Sequence, residues 1–474
     1  MLISSFCLFT WLGVVPAADP ATHQATGVKV GEITPDSAMI WVRLTAQSRR
    51  KADGIVRRGR PARHLDPGMS VNQLEGECPG ATGRVRVRYG LTQDLADAQA
   101  TEWAAVGETT DYAHVFRLTG LKPATRYYYA SETASPDDST PHAPLRGSFA
   151  TAPPADVPAK VMFTVVTGQM YKDVDHPDGY HIYEAMARLK PDFLILTGDT
   201  VYYDNEDPIA NTVPIARYHW HRMYSYPRLI NFHLQVPAYW EKDDHDTYYN
   251  DCWPTMVVED MSPLTFKDGL RVFSEQVPAG KVPYRTFRWG RNLQVWLTEG
   301  RNFRSPNTDP DGPDKTIWGK EQKEWLKRTL LSSDAERRIL ISPTPIVGPD
   351  RPNKTDNHSN KAFAYEGNEF RRWAAEHLPH NFFIICGDRH WQYHSVDPAT
   401  GVQEFSCGPA SDEHAEGSPG LDPKYHRFHL VKGGFLSVAV EPTGKTSRLT
   451  FRFHGVHGKV VYEFSPESPA TQPR

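Results

Sequence analysis

The stretch Pro191–Asp204, PDFLILTGDTVYYD, decides the fold of the longer, C-terminal part of this 474-residue chain. Residues 193–197 are a short apolar run that ends in Gly198–Asp199, and this pattern predicts a buried strand that stops abruptly. Ligands of open α/β sheets bind outside the carboxyl ends of the strands. A carboxylate at Asp199 and a phenol at Tyr202 suit a hard, multivalent cation. A turn or a helix cap is the structural alternative for the same residues.

Two further segments follow the same pattern. The apolar run FFIIC at 382–386 is followed by Gly387, Asp388, Arg389 and His390, and the run at 236–240 precedes the acidic block DDHD at 243–246. Carboxylates this close repel one another unless they are solvated or bound to a cation, so an exposed acidic turn is the alternative. The residues that we expect at one sheet edge are Asp199, Tyr202, Asp244, His245, Asp388 and His390, with Asn250 and His358 as further candidates.

The first third of the chain has a different sequence pattern. Short β-branched and aromatic runs, such as VRVRYGL (85–91) and RYYYASE (126–132), are separated by turn signals and predict a β-sandwich. Residues 49–80 interrupt these runs and are predicted to form a surface loop. The Pro/Ala-rich segment 151–160 marks the domain boundary, after which strands alternate with helices, including one predicted over 209–229.

Composition and the N-terminus limit the environment of the protein. The net charge of −4 leaves no basic footprint for nucleic acid. An apolar core at 2–15 followed by Ala17–Ala18 predicts a secretory signal peptide over residues 1–18 and hence export, with a buried N-terminal segment as the alternative. No other stretch is apolar enough to span a membrane. The four cysteines that remain allow one disulfide bond after export.

The strand-end residues suggest a reaction. If Asp199 bridges two cations, the pair would activate water and clamp the oxygens of an in-line displacement at phosphorus. His245 would protonate the leaving group or steady the phosphoryl oxygens, and Arg389 would pair with phosphate as a planar donor.

The motifs GDTVY (198–202), DDHD (243–246) and GDRH (387–390) resemble the alkaline phosphatase D family of the calcineurin-like metallophosphoesterases. RTFRWG (285–290) and EGRNFRSPN (299–307) extend the resemblance. It implies an α/β (α+β) chain with a fibronectin III-like β-sandwich at 25–152 and a four-layer αββα metallophosphatase domain at 158–464. LTGLKPATRYYY (118–129) is similar to the tyrosine corner of fibronectin III-like domains.

The resemblance also implies an exported phosphomonoesterase or phosphodiesterase that acts on small phosphate esters with a dinuclear or trinuclear site of Ca2+ and Fe3+. On the family pattern Asp199 bridges the metals, and Tyr202 and His390 bind iron. Asp244 and Asp388 bind the second metal, and Asn250 corresponds to a polar ligand after the acidic block.

One departure from the family pattern concerns iron. The family carries a cysteine before Gln169, and its thiolate binds iron, but this chain has Gly168. Iron would then bind weakly, be replaced by an oxygen-preferring ion or be absent. The residues that offer a substitute are Asp173, Asp175, His176 and Cys252.

Two other functions stay open. The chain is either an enzyme or a non-catalytic descendant that binds a surface ligand, and Gly168 favours the descendant. An enzyme could instead cleave phospholipid or nucleotide diesters. The aromatic residues that would then line a pocket are Tyr171, Tyr203, Trp240 and Trp391.

Overall fold

The computed structural model describes residues 22–138, 140–444 and 446–467. The signal peptide predicted at 1–18 lies outside the described residues. Within these ranges no helix has the length and apolar character needed to cross a bilayer. All four cysteines in the same ranges are buried and unpaired, so the disulfide bond that export would allow is not formed.

The N-terminal part is built from short strands. They are β1 (Val28–Gly31), β2 (Ser37–Arg43), β3 (Gly83–Gly90), β4 (Gln99–Ala100), β5 (Ala104–Val106), β6 (Ala113–Thr119), β7 (Arg126–Ala134) and β8 (His142–Ala150). Alternate residues of β3 are fully and partly buried, as expected for a strand with one face in a core. The Tyr127 hydroxyl accepts the Lys122 N–H at 2.9 Å, which closes the corner predicted from LTGLKPATRYYY.

Strands and helices alternate after the linker. The strands are β9 (Val161–Val166), β10 (Phe193–Thr197), β11 (Ala238–Glu241), β12 (Arg285–Trp289), β13 (Leu293–Leu297), β14 (Arg337–Ser342), β15 (Phe382–Cys386), β16 (Gln392–Val396), β17 (Gln403–Cys407), β18 (His426–Leu430), β19 (Phe435–Thr443), β20 (Thr446–His454) and β21 (Val460–Phe464). The helices are α1 (His181–Leu189), α2 (Val213–Tyr224), α3 (Pro227–His233), α4 (Phe266–Gln276), α5 (Gly319–Ser332) and α6 (Ala364–His377).

Two large sheets pack face to face between layers of helices. One has the order β21-β20-β19-β9-β10-β11-β1-β2-β6 and the other β12-β13-β14-β15-β17-β16-β18. In β10, Phe193 and Ile195 enter the core between the sheets, whereas Leu194 and Leu196 enter the core under α1–α4. Burial on both faces explains the unbroken apolar run of this strand. Helices α5 and α6 cover the other sheet, so the predicted αββα arrangement is confirmed.

The sandwich and the αββα region share a sheet. Strand β1 pairs in parallel with β11 through Gly31 and Ala238, and β2 and β6 extend the same sheet. The approach is so close that a Cβ on Gly31 would lie 2.7 Å from the Ala238 carbonyl oxygen. The linker at 151–160 therefore separates two stretches of chain, but one continuous sheet joins the parts on either side of it.

Of two predictions about connecting segments, one is wrong and one agrees with the structure. The helix predicted over 209–229 is divided between α2 and α3, because Pro227 starts a new helix and Tyr226 before it is extended. The segment 49–80 is irregular and largely exposed, as predicted. Its Arg57 pairs with Asp207 and its Arg60 with Asp173, so it lies over the loops that follow β9 and β10.

Candidate metal centre

Asp199 and Asp388 occupy equivalent positions, each one residue beyond the glycine that follows a parallel strand. Both have left-handed backbone conformations, with φ of +54° and +64°. Such a conformation costs a non-glycine residue about 1–3 kcal/mol and persists where the surroundings enforce it, often at functional sites. Gly387 is required beside Asp388, since a Cβ there would lie 2.6 Å from the Thr197 hydroxyl oxygen. The ends of β10 and β15, which belong to different sheets, are thus in close contact, and the strained backbone of both aspartates marks the place where the two sheets meet. The prediction that Asp199 and Asp388 lie at the edge of one sheet is corrected accordingly.

The acidic block turns toward Asp199 from the end of β11. Asp246 accepts the Asp243 N–H at 2.7 Å and the Thr200 N–H at 3.2 Å, so its carboxylate joins the two loops. Donor atoms of Asp199, Asp244 and His245 lie within 4.8 Å of one another, and so do those of Asp199, Asp243 and Asp388. Asp199 belongs to both groups, which is the arrangement that two neighbouring cations with a bridging carboxylate require.

The electrostatics of this cluster favour a bound cation. Burial, and then repulsion from Asp244, raises the pKa of Asp199 well above its usual range. Burial likewise raises the pKa of Asp243, against the opposing effect of Arg301. The Oδ1 atom of Asp199 is buried without a hydrogen-bond partner in the described ranges. A cation would satisfy that oxygen and offset the repulsion, so the residues present fit a metal centre.

A phenol and two imidazoles stand on one side of Asp199. The Tyr202 hydroxyl oxygen lies 3.5 Å from Asp199 Oδ2, 3.4 Å from His390 Nε2 and 2.9 Å from His414 Nε2. The predicted residues Tyr202 and His390 are therefore brought together with Asp199. His414, from a loop after β17, completes the group.

His245 is held by a carboxylate that lies outside the acidic block. Its Nδ1 lies 2.6 Å from Asp204 Oδ1, and Asp204 Oδ2 accepts the Asn250 N–H at 2.9 Å. Burial lowers the pKa of His245, but Asp204 and Asp244 outweigh burial and raise it well above the usual value. The imidazolium can therefore donate a hydrogen bond or a proton from Nε2 into the cavity that it lines.

The cluster opens into a cavity of about 380 Å³. Asn250 lines this cavity, and four cationic side chains also reach it: Arg60, Lys172, Arg351 and Lys354. Arg60 belongs to the segment predicted to be a surface loop. An entrance with this charge attracts anions and raises their local concentration.

Arg389 lies outside the cavity. Its side chain is fully buried, pairs with Asp350 at 2.9 Å and Asp356 at 3.6 Å, and also contacts the Asp388 carboxylate. We expected this guanidinium to pair with phosphate, but Asp350 and Asp356 already neutralise it. Its effect on the site is to brace the loop that carries Asp388.

His358 also lies elsewhere. Its Nε2 is 2.9 Å from Glu366, and its ring packs 4.3 Å from that of Trp318 beneath α5 and α6. The expectation that His358 is a ligand is corrected accordingly, because the imidazole belongs to a core hydrogen bond.

Of the aromatic residues considered for a pocket, Trp391 lines the cavity. Tyr203 and Trp240 belong to the core under α1–α4, and Tyr171 is buried there against Tyr226.

Sequence reasoning missed His414, Asp204 and the cations Arg60, Arg351 and Lys354. Each lies in an irregular segment, where hydrophobic periodicity carries no signal. The uneven clustering of histidines between 358 and 429 was a signal for His414, although it did not separate His414 from the core histidines.

Two family models match the chain. Residues 163–432 match that of PhoD-like phosphatase, and residues 14–153 match that of the PhoD-like phosphatase N-terminal domain. Alkaline phosphatase D of Bacillus subtilis (strain 168) is 25% identical over an alignment of 261 residues, and the match covers 47% of this chain and 42% of that protein. The chain thus aligns with less than half the length of this curated relative.

Two solved structures share the fold. One, described as the structure of PhoD, has a TM-score of 0.71 at 17% identity and covers 94% of this chain and 89% of its own. The other is the purple acid phosphatase PPD1 from yellow lupin (Lupinus luteus) seeds, with a TM-score of 0.60 at 11% identity over 92% of this chain and 73% of its own. The first family model matches more than half of the sequence, and the chain therefore belongs to the PhoD-like phosphatase family.

Proposed function

We propose that this chain is a phosphoesterase whose activity depends on bound metal ions. The observation that carries the proposal is the convergence of buried carboxylates from three strand ends on Asp199, with an unpartnered Asp199 oxygen beside a cation-lined cavity. Carboxylates in this arrangement bind metal cations. The positively charged side chains that line the cavity attract an anionic substrate. Membership of the PhoD-like phosphatase family supports the same reading.

The proposed ligands follow the family pattern, although Asp244 and Asp388 belong to different groups around Asp199, one with His245 and the other with Asp243. Asp199 would bridge, Tyr202 and His390 would hold one ion, and the second would be held by Asp244 and Asp388 with Asn250 at the rim. When bound, such cations supply Lewis-acid chemistry, activating water as the nucleophile and neutralising charge on the phosphoryl oxygens.

The protein's own side chains would position the ester and move the proton. His245, oriented through Nδ1 by Asp204, presents Nε2 to donate a proton to the leaving oxygen or a hydrogen bond to the phosphoryl group. Arg60 and Arg351 at the entrance would attract the phosphate before it reaches the metals.

The first test combines metal content with turnover. The purified protein should hold at least two metal ions per chain and hydrolyse a generic phosphomonoester, a generic phosphodiester or both. Asp199→Asn should lower kcat/KM by about a thousandfold or more, the scale on which loss of transition-state charge stabilisation acts. Asp314→Asn, at an exposed loop position, is the matched control and should be unaffected.

Two results would contradict the proposal. Turnover that survives Asp199→Asn would remove this residue from the centre. A protein that holds no metal and hydrolyses neither ester after Fe3+ and Ca2+ are supplied would favour the non-catalytic ligand-binding descendant. The ratio of monoester to diester turnover assigns the substrate class, including phospholipid or nucleotide diesters.

We also propose that the protein is exported through residues 1–18. The apolar run at 2–15 and the small residues Ala17–Ala18 support this proposal. Mature protein recovered outside the cytoplasm should begin near Asp19, and an intact N-terminus on cytoplasmic protein would contradict export.

A further inference from the structure

The space beside Gly168 is already occupied. Gly168 has a left-handed backbone with φ of +57°. A Cβ at this position would lie 3.3 Å from both His414 Cδ2 and Pro409 Cβ, and 3.4 Å from His390 Cδ2. The two shorter separations are tighter than ordinary van der Waals contacts, so a cysteine fits only if His414 or Pro409 moves by a few tenths of an ångström. Two imidazoles and a proline ring therefore crowd the position of a Cβ at Gly168.

The loop that carries His414 is attached to the Gly168 turn. The Ala410 N–H donates to the Gly168 carbonyl oxygen at 3.1 Å, and Thr167 forms a β-bridge with Pro409. His414 lies four residues farther on, at the end of the short 3-10 turn Asp412–His414, and its side chain is 3% exposed. Backbone contacts between this loop and the turn at Gly168 therefore position His414 in the site.

The distances from the Tyr202 oxygen to its neighbouring donor atoms match those between two ligands of one ion. Donors about 2.1 Å from a metal lie roughly 3.0 Å apart at right angles and roughly 3.4 Å apart at tetrahedral angles. His414 Nε2 is 2.9 Å and His390 Nε2 is 3.4 Å from the Tyr202 oxygen, and Asp199 Oδ2 is 3.5 Å from it. Without a metal the 2.9 Å contact is a hydrogen bond, which is the alternative that the experiment must separate.

A buried carboxylate orients His414. Its Nδ1 lies 3.1 Å from Asp173 Oδ2, and Asp173 also accepts two hydrogen bonds from Arg60 at 2.9 and 3.0 Å. Donation from Nδ1 to Asp173 leaves the lone pair on Nε2, directed toward Tyr202. Metal-bound histidines almost always donate their second ring N–H in this way.

We propose that His414, oriented by Asp173, is a metal ligand that takes the place of the thiolate missing at Gly168. This inference rests on the metal dependence proposed above. A neutral imidazole in place of a thiolate makes the donor set less negative by one charge and leaves it with nitrogen and oxygen atoms alone. Compared with a site that contains a thiolate, this site favours divalent ions that prefer nitrogen and oxygen ligands.

The test uses the full-length protein stripped with a chelator and reloaded with Zn2+ alone. X-ray absorption at the zinc edge should show nitrogen and oxygen neighbours at about 2.0–2.1 Å and no sulfur at about 2.3 Å. His414→Ala should weaken the affinity for one Zn2+ by about 100-fold, and Asp173→Asn by about 10-fold, the range for ligand-orienting partners. His380→Ala, on the exposed turn before β15, is the matched control and should bind as the wild type does.

The outcomes separate this proposal from the proposed function. Unchanged Zn2+ affinity in both His414→Ala and Asp173→Asn would overturn the ligand assignment, as would a sulfur neighbour in the wild type. Circular dichroism will show whether His414→Ala folds. If it does not, Asp173→Asn keeps the test valid, because the asparagine side chain has nearly the same shape as that of aspartate. No Zn2+ binding by folded wild type would overturn the metal dependence itself.

Discussion

Arg301 neutralises the buried acidic block, and its removal tests the electrostatics of the whole centre. Its side chain is fully buried, Nε donates to Asp243 Oδ1 at 2.6 Å, and Nη2 lies 3.8 Å from Asp244 Oδ1. We predict that Arg301→Met, which keeps apolar bulk and removes the charge, destabilises the protein strongly when metals are removed. Bound cations should offset part of the loss, because they supply positive charge to the same carboxylates.

The magnitude follows from the burial of the pair. Removing one partner of a buried ion pair costs about 3–5 kcal/mol. At about 2.1 cal/mol/K per residue, the unfolding entropy of this chain is roughly 1 kcal/mol/K, so the melting temperature should fall by about 3–5 °C. A unit charge 4 Å from another contributes about 4 kcal/mol at an effective dielectric constant of 20. Metal binding should therefore reduce the destabilisation by about 2 kcal/mol or more.

The assay is thermal or urea unfolding of the full-length variant with chelator and with added metal, each compared with the wild type. Arg337→Met is the matched control, because Arg337 is equally buried but donates to Ser447 and not to a carboxylate. Arg337 starts β14, which runs parallel to β15, so it lies at the end of these strands away from Asp388. The control substitution should destabilise the protein equally with and without metal. An equal loss for Arg301→Met in both conditions would refute the reasoning.

Three further predictions concern Asp204, Arg60 and His221. Asp204→Asn removes the negative charge beside His245 Nδ1 and should lower kcat/KM by about 10- to 100-fold, the usual effect of losing an orienting partner, with some loss of stability because the pair is buried; equal kinetics would contradict it. Arg60→Ala should raise KM about three- to tenfold with little change in kcat, because an entrance charge acts mainly on association; a fall in kcat alone would contradict it. Burial lowers the pKa of His221, but Asp111, 2.6 Å away, raises it, and the net effect is an increase. Its charge therefore stabilises the fold fully below about pH 6.5, and this contribution is lost as the pH rises through the raised pKa. The stability difference between wild type and His221→Gln should shrink from about pH 6 to pH 9, and a constant difference would contradict it.

Local patterns sufficed wherever a residue follows a strand directly. The apolar runs before Asp199, Asp244 and Asp388 identify the strands, and parallel strands deliver their carboxyl ends to one edge. The structure brings these carboxylates together, but not at the edge of one sheet. The strands before Asp199 and Asp244 belong to one sheet and the strand before Asp388 belongs to the other, so the cluster forms where the ends of the two packed sheets meet. The same reasoning placed Arg389 beside the substrate, but it says nothing about which of two adjacent side chains turns inward. Asp350 and Asp356, which come from a distant loop, hold Arg389 in the interior.

The sequence by itself determined the αββα core, the sandwich and the strand-end aspartates, because hydrophobic periodicity and turn residues act over a few neighbouring positions. Only the tertiary structure decided that His414 lies beside Gly168 and that Arg60 reaches the cavity. It also decided that one sheet joins the two parts of the chain. These contacts join residues separated by tens to hundreds of positions, and their formation depends on how loops without periodicity pack. No local pattern encodes that packing.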